Sequence, residues 1–307
     1  MKAFAILLLI GFTSSATTFY VTIAGLGGEP EFEQRFTGLA KDVDKILKAA
    51  GPDAKVFTLL GAEATKAKLD ATLKQITRDA KKDDALVLMI IGHGTFDGTE
   101  YKINLPGPDI TAVELAMLLD RVPAVRQLVV NMTSASGASL TPLQRKERVV
   151  ITATKSGTEK NATVFARFWV EALRDPAADA DKNEMISALE AFKYAEEKTS
   201  KFYESQKRLA TEHALLSDSG SGQGTRSPSP QNGEGLIAAR FTLLKLGTAQ
   251  AVANDPAKLE LLKKKEDLEQ QIDALKYQKA AMSLNDYRAQ LQALLTQLAR
   301  TQAELDK

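Results

Sequence analysis

"ALVLMIIGHG", residues 85–94, decides the fold class. Its apolar run is unbroken rather than alternating, and it closes on Gly92, His93 and Gly94. A strand with apolar side chains on both faces belongs inside a parallel sheet covered by helices on each side. The flanking sequence has the matching rhythm. "FYVTIAG" (19–25), "KVFTLLG" (55–61), "RQLVVNM" (126–132) and "ERVVITATK" (147–155) read as further strands. Between them, "EFEQRFTGLAKDVDKILKAAG" (31–51), "ATKAKLDATLKQITRDA" (64–80) and "DITAVELAMLLDRV" (109–122) carry apolar residues at helical spacing. Strand and helix in alternation predict an α/β fold, a three-layer α/β/α sandwich with a mostly parallel sheet.

Past Ala153 the pattern turns helical, with "NATVFARFWVEAL" (161–173) and "NEMISALEAFKYAEEKTSKFYESQ" (183–206). A polar stretch rich in glycine and proline, 217–235, reads as a flexible loop, and "LIAARFTLLKLG" (236–247) as one last core element. The segment 255–307 differs in kind. It opens on Asp255 and Pro256, and Leu261, Leu268, Leu275 and Met282 recur every seven residues. Ser283 and Asp286 start a second helix carrying Tyr287, Leu291, Leu294, Leu298, Thr301 and Leu305. These predict a helical hairpin or coiled coil at 256–305, packed on its own domain, on a second copy or on a partner helix. Lys265 and Lys279 occupy alternate core positions and weaken a self-contained seam.

Among 307 residues, 40 are Lys or Arg and 39 are Asp or Glu, so the field of a nucleic-acid binder is missing and no nucleic-acid partner is expected. The absence of cysteine excludes disulfides, a cysteine-linked lipid anchor and thiol chemistry. Residues 1–16, "MKAFAILLLIGFTSSA", have one lysine, an apolar stretch and small residues at Ser14 and Ala16. That is the pattern of an export signal cleaved after Ala16, and it is shorter than the roughly 20 apolar residues of a spanning helix. The expectation is an exported protein, periplasmic or extracellular, with no membrane span in the mature chain and an α/β domain over 17–247.

In an open parallel sheet, ligands sit beyond the carboxyl ends of the strands, where His93 lies. The next strand runs into "TSASGAS" (133–139), placing Ser134, Ser136 and Gly137 beside it. Here the sequence resembles the caspase and legumain group of cysteine peptidases. In legumains a strand ends in His-Gly, an amphipathic helix follows, and the next strand ends in Ala-Cys-x-Ser-Gly. This chain has His93 and Gly94, then Thr133, Ser134, Ala135, Ser136 and Gly137, with the key positions 41 apart (134 − 93). The resemblance covers about 19–173 and extends toward 246.

By that resemblance, His93 and Ser134 take the catalytic positions, with serine in place of the family's cysteine. The backbone N–H groups of Ser134 and Gly94 would form an oxyanion hole. Ser136, Gly137, Thr154 and Lys155 would line the substrate pocket, with Lys155 facing acidic ligands. A serine hydroxyl needs a base in direct contact, whereas the family holds its histidine and nucleophile apart. The chain therefore reads as a peptidase homologue that has lost catalysis and works by binding a peptide or protein, or by assembly. The alternatives are an active serine-type hydrolase using His93 and Ser134, and a structural scaffold.

One cation candidate stands outside this frame. "DADKNEMISALE" (179–190) places Asp179, Asp181, Asn183, Ser187 and Glu190 at positions one, three, five, nine and twelve of a Ca²⁺-loop template. Position six, which wants glycine, is Glu184. Otherwise no cofactor is expected, and His213 reads as a surface residue.

Overall fold

A computed structural model describes residues 16–306 apart from 52, 221 and 248–255. The stretch read as an export signal therefore lies outside the described residues, except for Ala16. The first half comprises β1 (Thr18–Ala24), α1 (Pro30–Lys48), β2 (Ala54–Leu59), α2 (Lys66–Asp79), β3 (Ala85–Ile91), β4 (Gly94–Phe96), β5 (Tyr101–Ile103), β6 (Ile110–Thr111), α3 (Ala112–Asp120) and β7 (Arg126–Asn131). The second comprises α4 (Leu140–Leu143), β8 (Arg148–Thr152), α5 (Phe165–Ala172), β9 (Met185–Ser187), α6 (Ala188–Ser205), β10 (Leu215–Ser217), α7 (Leu236–Ala239), β11 (Thr242–Lys245), α8 (Pro256–Gln278) and α9 (Leu284–Leu305).

The central sheet has six strands in the order β10-β8-β7-β3-β1-β2, parallel throughout except for β10 against β8. β3 shows why its sequence carries no alternation. Val87, Met89 and Ile91 pack with Phe36, Ala40, Val43 and Leu47 of α1 and with α5 and α6. Leu86, Leu88 and Ile90 pack with Leu69, Leu73 and Ile76 of α2 and Leu115 and Leu119 of α3. Each face thus has its own core, and the molecule is a three-layer α/β/α sandwich. Right-handed crossovers account for the sides. The step from β1 out to β2 lays α1 on one face; the return to β3 and the onward step to β7 lay α2 and α3 on the other. The strand order therefore reverses between β1 and β3, the switch point where an open α/β sheet gathers its loops.

Several elements differ from the sequence reading or add to it. The segment after His93 is a three-stranded antiparallel sheet, β4-β5-β6, turned at Gly98 with φ +103°. The helix expected from Asn183 starts only at Ala188. Ser187 and Glu190 cap it with a reciprocal pair of hydrogen bonds, and Met185–Ser187 is β9, paired with β11. The expected last core element is two pieces, α7 and β11. The segment 217–235 is anchored within the body: buried Asp218 accepts the N–H groups of Gly235 and Ala238 at 2.7 and 2.9 Å, and Leu216 bridges to Thr225.

The two C-terminal helices are antiparallel, with Lys258 Nζ at the start of α8 donating to the Leu305 carbonyl at the end of α9 (2.8 Å). Ser283 caps α9 through Asp286 N–H. α8 lies on the α/β body. Tyr277 hydroxyl donates to the Glu234 carbonyl, Arg240 to the Gln270 carbonyl, and Lys245 pairs with Glu266 at 2.7 Å. Lys265, a disruptive residue in a hairpin seam, is buried and donates to the Asn183 carbonyl of the body at 3.1 Å. No helix among the described residues is long and apolar enough to cross a membrane.

Candidate functional site

Four strands deliver their carboxyl ends to one edge of the sheet. β1 arrives as Gly25, Leu26 and Gly27, β3 as Gly92, His93 and Gly94, β7 as Met132, Thr133 and Ser134, and β8 as Ala153, Thr154 and Lys155. β3 and β7 are adjacent and parallel, so His93 and Ser134 leave neighbouring strands at the same end.

The imidazole of His93 sits edge-on to two rings of α1, Phe32 at 4.8 Å and Phe36 at 5.0 Å between centroids. The guanidinium of Arg35, on the same helix, lies over the same two rings, at 4.8 and 5.4 Å from their centroids. Burial and the Arg35 charge hold the His93 pKa below its ordinary value. A hydrogen bond to the Gly27 main chain and the carboxylate of Glu29 oppose this without reversing it. At neutral pH the ring is therefore uncharged, as a general base must be.

Ser134 is only 2% exposed. Its hydroxyl accepts Gly94 N–H at 3.1 Å and donates to Gly94 C=O at 3.2 Å, and it has no hydrogen bond to His93. The hydroxyl is thus a clamp between the ends of β3 and β7. Gly94 is a glycine because a Cβ there would lie 2.5 Å from Tyr101 Oη and 2.6 Å from Ser134 O. Its N–H, expected to stabilise an oxyanion, is already donated to Ser134. Ala135 follows in the left-handed region with φ 55° and ψ 11°, an unusual setting for a residue with a Cβ.

The residues expected to line a pocket tie two loops together. Ser136 Oγ accepts Thr154 N–H at 3.1 Å, and Thr154 Oγ1 accepts Gly137 N–H at 2.8 Å. A Cβ on Gly137 would stand 2.2 Å from Ser156 N, so the loops touch backbone to backbone. Ser136 and Thr154 are both fully buried. Lys155 is exposed, and its ammonium faces Glu159 at 3.8 Å.

Sequence reasoning missed two groups here. Asn131, inside an apolar strand, bonds Tyr101, Thr133 and Ser139, a buried polar network beneath Ser134. Burial pushes the Tyr101 hydroxyl up to about 12, so it stays a donor. Glu159 accepts the main chain of Lys155 and of His213 and pairs with His213 Nδ1 at 2.5 Å, so His213 is a partnered, largely covered side chain. A polar residue within a buried run was the available signal for Asn131; nothing local marks Glu159 and His213 as neighbours.

The carboxylates of Asp179, Asp181 and Glu190 do converge, each offering an oxygen within 4.8 Å of the others. Glu184 has φ 66°, the conformation for which the template wants glycine. Much of the acceptor capacity is already engaged: Asp179 receives Asn183 and Glu184 N–H, Asp181 receives Asn183 N–H, and Glu190 receives Ala180 N–H and caps α6 at Ser187. Mutual repulsion remains, and burial with Glu190 and Asp179 nearby pushes Asp181 up to about 6. Asp181 and Glu190 also line a cavity of about 530 Å³ between the body and α8, with Glu269 and Asp273 opposite.

No family model matches this sequence, nor does any curated protein. Solved structures with a similar course of chain include caspase-1 from Spodoptera frugiperda, at 12% identity and TM-score 0.46, over 66% of this chain and 86% of that one. The Drosophila initiator caspase Dronc aligns at 10% identity and TM-score 0.45, over 68% and 81% of the two chains. A protein from Geobacter sulfurreducens aligns at 12% identity and TM-score 0.45, over 72% and 97%.

Proposed function

We propose that this chain is an exported caspase- and legumain-like domain whose nucleophile position has become structural, and that it acts by binding a peptide or protein, or by assembly, rather than by hydrolysis. The observation that carries the reading is the Ser134 hydroxyl, buried and bonded in both directions to the main chain of Gly94. A serine nucleophile must pass its proton to a base in hydrogen-bond reach as it attacks. Here the base within the site is turned to Gly27 and to two phenylalanine rings. Assembly is supported by the outer face of α9, where Leu284 and Leu295 are exposed.

An active hydrolase is the second reading, favoured by the uncharged His93 on the strand next to Ser134. A serine-directed fluorophosphonate separates the two. The expected result is no covalent labelling and no turnover of peptide esters above background. Labelling that disappears in both Ser134→Ala and His93→Ala would replace the binding reading with the hydrolase.

A further inference from the structure

Thr17 stands one position past the small-residue signature that ends at Ala16 and directly before β1. Its carbonyl accepts Ala85 N–H at 2.9 Å, placing it in register at the start of the β1–β3 pairing. Its N–H donates to Asp84 Oδ1 at 2.8 Å. Asp84 is 6% exposed, and its other oxygen accepts Lys81 N–H at 2.7 Å, which fixes the carboxylate toward Thr17. Ala16, on the far side of the same peptide bond, is exposed. The sequence signature and the nitrogen held by Asp84 thus fall on one bond, from independent observations.

We propose that the Ala16–Thr17 bond is a processing site and that the ammonium group released on Thr17 is captured by the buried Asp84 carboxylate, tightening the sheet at its first strand once the leader is gone. The covalent step is hydrolysis by an export-side peptidase. One water is added, Ala16 leaves as a carboxylate, and Thr17 keeps its nitrogen as an amine that protonates below about pH 8. Before the cut, Asp84 receives a neutral amide N–H. After it, the same atom is cationic, and a charge-assisted hydrogen bond of this kind is roughly twice as strong as a neutral one. A structural carboxylate thereby becomes a sensor of whether the leader has been removed. The inference rests on the export reading above and does not depend on whether Ser134 is catalytic.

Two measurements test it. The full chain, exported from a host cell, is expected to yield a mature protein whose intact mass and N-terminal sequencing begin at Thr17; a different first residue overturns the proposal. Mature chain with a free α-amine is then compared with the same chain acetylated on that amine, which restores the amide N–H and removes the charge. The free amine is expected to melt higher by about 2–4 °C, and the difference is expected to vanish in Asp84→Asn. Equal melting of the free and acetylated chains, or a difference that persists in Asp84→Asn, overturns the capture. Should Asp84→Asn not fold, the free and acetylated chains decide the question alone.

Discussion

Ser134 and Gly94 hold the ends of β3 and β7 together through the donor and the acceptor of one hydroxyl. Ser134→Ala takes this partner from the buried Gly94 N–H and C=O. The expected cost is about 1–3 kcal/mol in denaturant unfolding, with the slope of the transition unchanged. Unaltered stability in that variant would mean that the hydroxyl is not a clamp and would reopen its use as a nucleophile. The imidazole gives a separate readout. Because burial and Arg35 both disfavour the cation, the His93 resonance is expected to titrate below the ordinary histidine range. Arg35→Gln is expected to move it upward, and a titration at or above the ordinary value would contradict the packing against Phe32 and Phe36.

At the scale of elements, the junction between α8 and the body carries its own pH dependence. Burial, reinforced by Asp181, Glu266 and Asp273 and opposed by Lys265, pushes Glu269 up to about 7, while Asp181 stands near 6. An unfolded glutamate titrates near 4.3, so between these values the folded state binds the proton more tightly and stability falls as pH rises. The contribution is fully lost above the folded pKa. The junction is therefore expected to be firmer near pH 5 than near pH 8. His93 runs the other way, since its lowered pKa removes stability as pH falls below the ordinary histidine value. Glu269→Gln isolates the first effect: melts from pH 5 to 8 are expected to lose part of their slope, and an identical slope would exclude Glu269 as its source.

The same scale shows what could be read from sequence. β3 was legible because both of its faces are buried, so an unbroken apolar run was its only possible pattern. β9 was absorbed into the following helix because three residues are too few for a period, although Ser187 and Glu190 already marked the helix start at Ala188. β4, β5 and β6 were hidden for the same reason. Strand order placed His93 and Ser134 on one edge. Their partners depend on crossover handedness and on main-chain atoms, so neither the Phe32 and Phe36 slot nor the Gly94 clamp had a local signature.

For the whole molecule, the question is whether the hairpin is part of the fold or an attachment to it. Among the described residues, none of α8 or α9 belongs to either hydrophobic core, although Leu262, Leu268, Ile272 and Leu275 of α8 are buried. Contact with the body includes the hydrogen bonds of Tyr277, Arg240 and Lys265 and the Lys245–Glu266 pair. At about 0.5–1.5 kcal/mol for each such interaction, the docking adds roughly 2–6 kcal/mol to a sandwich that has already buried its own cores. A chain ending at Gly247 is therefore expected to keep one cooperative thermal transition, moved to lower temperature, with its far-ultraviolet signal reduced only by the two missing helices. Loss of the transition would show that Lys265 and Tyr277 complete the fold rather than decorate it. A retained transition leaves α9, with Leu284 and Leu295 facing outward, free to take a second copy or a partner helix without cost to the α/β body. The full chain is then expected to sediment as a larger species than the truncated one, and equal monomer masses for both would remove assembly from the reading and leave binding alone.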